Sequence, residues 1–421
     1  MIVVGLDLHV RNSFLHVEDG DGRRLKRGRV GNSLAEVAQF LGALEPRLAQ
    51  APREPVRVVM ESTTNSRAMY GLLNDYARAA GVELSAQVLD ARRLRVIAQS
   101  VSKCDKLDAA VLAELARSNL KLPACYVPDD AVFALREHLR ARADLVRIRT
   151  MLKNRVHALL HRRGLPPAGD PFGRAGRAAL AGLALDAAGR AILDRYLAQL
   201  DAIERAVRDS TRELRELASD DGGGDACGGG GGGARWRRPL ALLCTMPGVG
   251  LIHGLTILAE LGDIDRFRSR AAVSNWAGLV PVVRDSNHKR FAGHITRRGS
   301  AHLRATMTEA AWSAVRTGGR CRRYRAIFHR IGRAKCKQVA IIAVARRMLE
   351  DAWMMLKRDE EFRDEVSRDD VFRNDDERRD DDDDECRDRS STQMPATASA
   401  APAADEIATR RTPQAEPAVW A

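Results

Sequence analysis

Met1-Ile2-Val3-Val4-Gly5-Leu6-Asp7-Leu8-His9 opens this 421-residue chain, and the carboxylate at its seventh position decides how the first 120 residues are read. Ile2 to Leu6 is apolar enough for a buried strand. A charged group at the end of such a strand is disfavoured unless it meets a partner, a metal or water. Val56-Arg57-Val58-Val59-Met60 repeats the pattern and ends on Glu61, followed by the small polar run Ser62-Thr63-Thr64. Two strand ends therefore carry acids.

Working outward, Ser13 to Val17 and Arg24 to Val30 follow the first strand at hairpin spacing. Asp19-Gly20-Asp21-Gly22 lies between them as turn residues, so three antiparallel strands are expected. Helical patterns are expected over about 34–48 and 66–80, with a short strand near 85–88. This alternation is that of an α/β domain ending near residue 125, and its order is the one a ribonuclease-H-like fold gives. Asp105 and Asp108 stand three apart at the start of a helix expected over Lys106 to Ala116, which puts both on one face.

Four acids converging at the carboxyl ends of adjacent strands repel one another unless a cation binds them. Mg²⁺ prefers oxygen ligands and keeps waters and substrate phosphate in its shell. A pair of such ions about 3.5–4 Å apart activates a nucleophile and stabilises a leaving oxygen, which is phosphodiester chemistry. Each acid alone has a plainer reading, Asp105 as a helix cap and Glu61 as a loop carboxylate. It is their order and context together that point to two Mg²⁺ ions held by Asp7, Glu61, Asp105 and Asp108.

Beyond residue 125 the pattern changes. Leu145, Ile148, Leu152, Val156 and Leu159 are spaced by three and four residues, the stripe of a helix that faces a partner. A second helical stretch over about 186–217 completes a coiled-coil-like hairpin across residues 130–219, or drives self-association. The opposite face carries Arg140, Arg142, Arg147, Arg149, Lys153 and Arg155, either a solvated face or a nucleic-acid track. Residues 220–234 are nearly all glycine and read as a linker. A mainly helical domain is expected over 235–356, and the acidic, then Ala/Pro-rich, stretch 357–421 reads as disorder.

Net charge is +13, but Asp359 to Asp388 holds 17 Asp/Glu against 6 Arg; removing that −11 leaves a body of +24. Such an excess favours a polyanionic partner through counterion release, with nucleic acid ahead of a merely solubilising surface. No apolar run approaches the roughly 18 residues that span a bilayer, so no membrane partner is expected. The start lacks the features of a secretory leader. Seven scattered cysteines show neither CxxC pairing nor the density of a disulfide scaffold, so reduced thiols in the cytoplasm are expected.

In the second domain Met246-Pro247-Gly248-Val249-Gly250 precedes a helical pattern over 251–261. Glycine-rich amides at a helix amino terminus, here Gly248 and Gly250, suit phosphate and resemble the turn of helix-hairpin-helix modules; a plain interhelical turn is the alternative. Further on, Ser286 and Ser300 are ringed by Arg284, Lys289, Arg290, Arg297, Arg298 and Arg304. Such cations either stabilise a serine attacking phosphorus or simply bind phosphate, and the chemistry alone favours the simpler role.

Two sets of motifs then resemble one family. Val4-Gly5-Leu6-Asp7-Leu8-His9, Met60-Glu61-Ser62-Thr63 and Lys103-Cys104-Asp105-Lys106-Leu107-Asp108-Ala109 are similar to the RuvC-like Asp-Glu-Asp-Asp domain of the insertion sequence 110 transposases. Met246 to Gly250, Ala277-Gly278-Leu279-Val280-Pro281 and Gly293-His294-Ile295-Thr296-Arg297-Arg298-Gly299 resemble that family's carboxyl-terminal transposase domain. The resemblance covers about residues 1–355. It implies an enzyme that cleaves and rejoins DNA at element ends and target, with Mg²⁺ on the four acids. It also implies a serine that links covalently to DNA between the Ala-Gly-Leu-x-Pro and Gly-x-Ile-Thr motifs, which selects Ser286 with Ser300 as fallback. The family usually has glycine soon after that serine; here Asn287-His288 follows. A structured guide RNA and assembly into homodimers or homotetramers are further implications.

Three other functions compete. A Holliday-junction resolvase or simple nuclease would use the acids without a serine, and a non-catalytic DNA-binding protein would use only the charge. An actin-like kinase shares the Gly5-x-Asp7 strand but needs further glycine-rich phosphate loops, which the first domain lacks.

Overall fold

The computed structural model describes residues 1–43, 54–91, 93, 105–118, 120, 122–166, 169–219, 232–286, 289–316 and 321–364. Most of the glycine stretch and the acidic end therefore lie outside the described residues. The chain divides into two compact units, Met1–Leu240 with Gly254–Arg266, and Ala241–His253 with Phe267 onward.

The first unit begins with β1 (Ile2–Leu8), β2 (Asn12–Glu18) and β3 (Arg24–Gly31), then α1 (Leu34–Gly42), β4 (Val56–Glu61), α2 (Ser66–Ala80), β5 (Leu84–Leu89) and α3 (Asp105–Arg117). The sheet order is β3-β2-β1-β4-β5. β1, β2 and β3 form an antiparallel meander, as the hairpin spacing predicts, while β4 and β5 run parallel to β1. Period-two alternation divides β1 between two cores. Ile2, Val4, Leu6 and Leu8 pack with α1 and α2 through Val37, Leu41, Met69 and Leu73. Val3 and Val59 pack on the other side with Leu112, Ala113 and Ala116 of α3.

Gly5 sets the spacing of that second layer. A Cβ there would lie 1.9 Å from the Ala109 carbonyl oxygen and 2.4 Å from the Ala113 nitrogen, so only glycine lets α3 lie directly on β1.

The helical hairpin follows: α4 (Asp130–His161), a short α5 (Arg174–Ala181) and α6 (Ala187–Ser219). α4 and α6 run antiparallel, tied by Arg142 to Thr211 (2.9 Å), Lys153 to Glu204 (3.4 Å) and Arg163 to Asp186 (2.9 Å). Leu193, Leu200, Val207 and Leu214 of α6 are buried at seven-residue spacing, the seam of a coiled coil. On α4, Leu152, Val156 and Leu159 are buried as expected, but Ile148 is 39% exposed.

α7 (Gly232–Cys244) and α8 (Leu251–Leu261) are each divided between the units, so the first unit does not end at the glycine stretch. Within it, Arg136 donates to the carbonyls of Ala259 (2.6 Å) and Glu260 (3.0 Å), and Arg140 bonds the buried Glu260 carboxylate at 2.9 Å. Arg266 stacks on Tyr126, and burial first of all lowers its pKa to about 10. The arginine-rich face of α4 is thus partly internal: Arg140, Arg142 and Lys153 hold the unit together, and Arg147 pairs with Asp144.

The second unit adds α9 (Arg270–Ala277), the hairpin β6 (Pro281–Ser286) and β7 (Lys289–Ile295), then α10 (Ala301–Arg316), α11 (Arg322–Ala334) and α12 (Lys337–Arg358). The unit is mainly helical, as expected, and the two-stranded hairpin is the element the sequence pattern did not announce. Its Val282-Val283 run is only two residues long, and Arg284, Asp285, Lys289 and Arg290 crowd the turn, which hides the alternation. Buried Glu350 and Asp351 of α12 are satisfied: Ser274 donates to Glu350 (2.7 Å), Tyr324 to Asp351 (3.0 Å), and Arg346, Arg347 and Arg323 supply charge. The unit continues past residue 356, because Phe362 packs on Tyr324 at 5.5 Å and Asp364 bonds the start of α11.

Among the described residues no helix is long and apolar enough to cross a membrane. Cys125, Cys244, Cys321 and Cys336 are free thiols.

Candidate functional site

Asp7 and Glu61 lie on adjacent parallel strands, each one residue beyond the register pair Leu6 and Met60. Each follows by two residues a position that faces α3, Gly5 before Asp7 and Val59 before Glu61, so both acids lie on the α3 side at the carboxyl end of the sheet. α3 runs antiparallel to β1: its last residue, Arg117, reaches Glu18 (3.6 Å), whose strand partner is Val3 at the far end. Asp108 precedes the Ala109 that covers Gly5, and Asp105 begins the helix one turn earlier. The start of α3 therefore lies toward the end of β1 that carries Asp7. Asp108 is exposed; the Asp105 side chain lies outside the described residues. Among the described residues no three His, Cys, Asp or Glu side chains form a group that would hold a metal ion.

Two features of this edge escape the sequence. His9 brings Nε2 within 3.2 Å of Asp7 Oδ2, and its carbonyl accepts from Asn32 and Asn65, both at 2.7 Å, which fixes the loop after the acid. Asp90 is a third carboxylate just past a parallel strand end, but it follows Leu89 of the α3 layer and so alternates to the opposite face, 3.7 Å from Arg93. An acid directly after an apolar strand is the signal that would have found it.

In the second unit the glycine turn has a structural explanation. Gly248 has φ +84, and a Cβ on it would lie 2.2 Å from the Ala310 carbonyl oxygen of α10. His253 Nδ1 donates to the Gly248 carbonyl at 3.0 Å and presents Nε2 to Glu309 at 3.6 Å. Gly250 is exposed with nothing within 4 Å of its Cβ position, leaving that side of the turn open.

The motif glycines act the same way. Gly278 (φ +72) and Gly299 (φ +70) let the end of α9 and the loop before α10 touch through backbone: a Cβ on Gly278 would lie 2.3 Å from Arg298, one on Gly299 2.1 Å from the Trp276 carbonyl. Arg304 Nη1 locks the pair, donating to the carbonyls of Ala277 (3.1 Å), Arg298 (2.6 Å) and Gly299 (3.1 Å). Burial, and then the charge of Arg297, holds its pKa below the usual guanidinium value. Arg304 is thus a strut, whereas Arg297 and Arg298 are exposed.

Ser300 accepts from the Leu303 N–H at 3.2 Å, the geometry of an N-cap for α10. Ser286 ends β6 opposite Lys289, and Arg284 and Arg290 lie on the same hairpin. The side chains of Arg284, Ser286, Lys289 and Arg290 lie outside the described residues.

Comparison with known proteins assigns the class. Residues 4–163 match a profile of DEDD transposases of the IS110 group, described as Transposase, and residues 240–326 match the Transposase IS116/IS110/IS902 family. The chain is 27% identical over 272 residues to a probable family 20 transposase of Pseudomonas aeruginosa, 62% of this chain and 74% of that protein. It is 26% identical over 300 residues to the transposase for insertion sequence element IS1111A of Coxiella burnetii, 68% and 76% of the two chains. An uncharacterized 42 kDa protein of insertion element IS900 from Mycobacterium paratuberculosis is 33% identical over 126 residues, 29% of this chain and 31% of that one. The chain is therefore a transposase, an enzyme class that cleaves and rejoins DNA. It belongs to the IS116/IS110/IS902 family.

Proposed function

We propose that this transposase moves an insertion element by Mg²⁺-dependent cleavage and rejoining of DNA in the cytoplasm, through a RuvC-like amino-terminal domain and a serine nucleophile. The observation that carries the reading is the acidic edge: Asp7 and Glu61 at the ends of adjacent parallel strands, facing the helix that begins with Asp105 and carries Asp108. The donors are carboxylate oxygens, the set a hard divalent cation prefers over one that selects zinc. Bound there, Mg²⁺ would neutralise phosphate charge and stabilise the leaving oxygen. His9 acts as a positioning residue that orients Asp7.

Ser286 Oγ attacks phosphorus; the Oγ–P bond forms and a P–O bond to the sugar oxygen breaks. The hydroxyl proton leaves the serine and the departing oxygen takes one up. In the second step a DNA hydroxyl displaces the serine, so each bond broken is replaced and no external energy source is needed. Ser286 is preferred because Ser300 is engaged in capping α10. Arg297, Arg298 and the open side of Gly250 contact phosphates, with Arg284, Lys289 and Arg290 beside the serine. A guide RNA encoded by the element and assembly into a homodimer or homotetramer belong to the same proposal, supported by the +24 body and the α4/α6 coiled coil.

The test mixes purified protein with element-end DNA, Mg²⁺ and the element's flanking transcript, then runs denaturing gels. A covalent adduct that Ser286→Ala and Asp7→Asn each abolish is expected. Cleavage without any adduct would point instead to a metal-only nuclease.

A further inference from the structure

Between Ala310 and Leu349 the sequence holds eleven Lys and Arg and no Asp or Glu. α11 lies inside this stretch. Tyr324, Ile327 and Phe328 bury one side of it, while Arg322, Ala326, His329 and Arg333 are exposed at spacings of four, three and four, a single helical face. Lys335 and Lys337, also exposed, follow in the turn where α11 ends and α12 begins. Acids of the neighbouring α12 neutralise none of it: Glu350 and Asp351 are buried and engaged by Arg323, Arg346 and Arg347. Among the described residues Arg325, Arg333, Lys335 and Lys337 have no acidic partner.

A second observation says what covers this face. Asp364, the last described residue, accepts from the backbone N–H groups of Arg322 (2.8 Å) and Arg323 (3.2 Å) at the positive end of α11, with Cys321 Sγ at 3.3 Å. The chain thus enters its most acidic segment at the amino terminus of its most basic helix. From Glu365 to Asp388 it carries thirteen Asp/Glu and five Arg. The run Asp380–Asp384 begins sixteen residues after Asp364; those residues span up to about 50 Å when extended, and α11, at thirteen residues, is about 20 Å long.

We propose that the segment Glu365–Asp388 docks on the exposed face of α11 that carries Arg322, His329 and Arg333, together with Lys335 and Lys337 just beyond its end, an intramolecular polyanion on a surface that also suits phosphate. Asp364 fixes where the segment starts, and the tether keeps its effective concentration in roughly the millimolar range. Nucleic acid must then displace the segment to use this face. The docking rests on charge and placement, independent of the acidic edge and of Ser286.

The test is zero-length carbodiimide cross-linking of the full-length protein at low salt, with the links mapped by mass spectrometry. Links from Lys335 and Lys337 to Asp380–Asp384 are expected, and about 1 M salt should remove them. Links spread evenly over all lysines, or none to these two, would overturn the proposal. A second measurement is a double-mutant cycle on affinity for non-specific duplex DNA. One arm neutralises the run (D380N, D381N, D382N, D383N and D384N), and the other neutralises the helix face (Arg333→Gln, Lys335→Gln and Lys337→Gln). Neutralising the run should tighten binding about fivefold or more in the native background and hardly at all in the helix variant. An equal gain in both backgrounds means that the acids repel DNA without engaging this face, which contradicts docking.

Discussion

Gly5→Ala is the sharpest perturbation the fold offers, because it acts on the acidic edge without touching an acid. The added Cβ would stand 1.9 Å from the Ala109 carbonyl oxygen, where ordinary contact begins at 3.4 Å, so α3 must retreat by about 1.5 Å. The obstacle is helix backbone, which no rotamer change relieves. Overpacking of this kind costs about 1–3 kcal/mol, or roughly 2–12 °C in Tm for a unit of this size. The same retreat carries Asp105 and Asp108 away from Asp7 and Glu61, and a misplacement of about 1 Å in a catalytic constellation costs roughly 100-fold in rate. Activity should therefore fall far more than stability. Gly71→Ala, in α2 with nothing within 4 Å of the new Cβ, is the control and should gain about 0.5–1 kcal/mol. Strand-cleavage rates and thermal unfolding of both variants decide the matter. A Gly5→Ala protein with native cleavage rate and native Tm would refute the placement of α3 on β1.

The serines should separate cleanly: Ser300→Ala loses a cap worth about 1 kcal/mol and keeps the DNA adduct, while Ser286→Ala keeps the Tm and loses the adduct. Arg297→Gln and Arg298→Gln should each weaken duplex binding and reduce its salt slope by about one, with Tm unchanged. Arg304→Gln, which frees three carbonyls, should instead lower Tm. Asp364 is partly buried, which acts to raise its pKa, but the Arg322 and Arg323 N–H groups outweigh that and hold it below the usual carboxylate range. Its stabilisation is present above the unfolded value and is lost as pH falls through the lower folded value, below about pH 4. Asp364→Ala should remove that acid dependence and cost about 0.5–2 kcal/mol at neutral pH, read by thermal unfolding across pH.

The sheet was legible because β1 and β4 are apolar, the turn between β2 and β3 carries two Asp-Gly pairs, and two acids stand directly after the apolar runs. The hairpin Pro281–Ile295 was not: charged residues at its turn break the alternation, and its apolar run is only two valines long. Composition also places a boundary at the glycine stretch, whereas Arg136 and Arg140 engage residues 259–260 across more than a hundred positions of sequence. No local pattern announces such a pairing. Five of the six cations set beside the serines are arginines and look alike in sequence, yet only packing reveals that Arg304 is turned onto carbonyls. His9 went unnoticed as a partner because a histidine in a loop is ordinary until an acid is found 3.2 Å away.

The central claim is that carboxylates at the sheet edge and a serine in the second unit serve one reaction. Mass-spectrometric mapping of the protein–DNA adduct, formed with Mg²⁺ and the flanking transcript, tests it most directly. The account predicts an adduct on Ser286 that disappears in Asp7→Asn, in Glu61→Gln and on chelation of the metal. An adduct on another residue, or one on Ser286 that forms undiminished in Asp7→Asn, would contradict it.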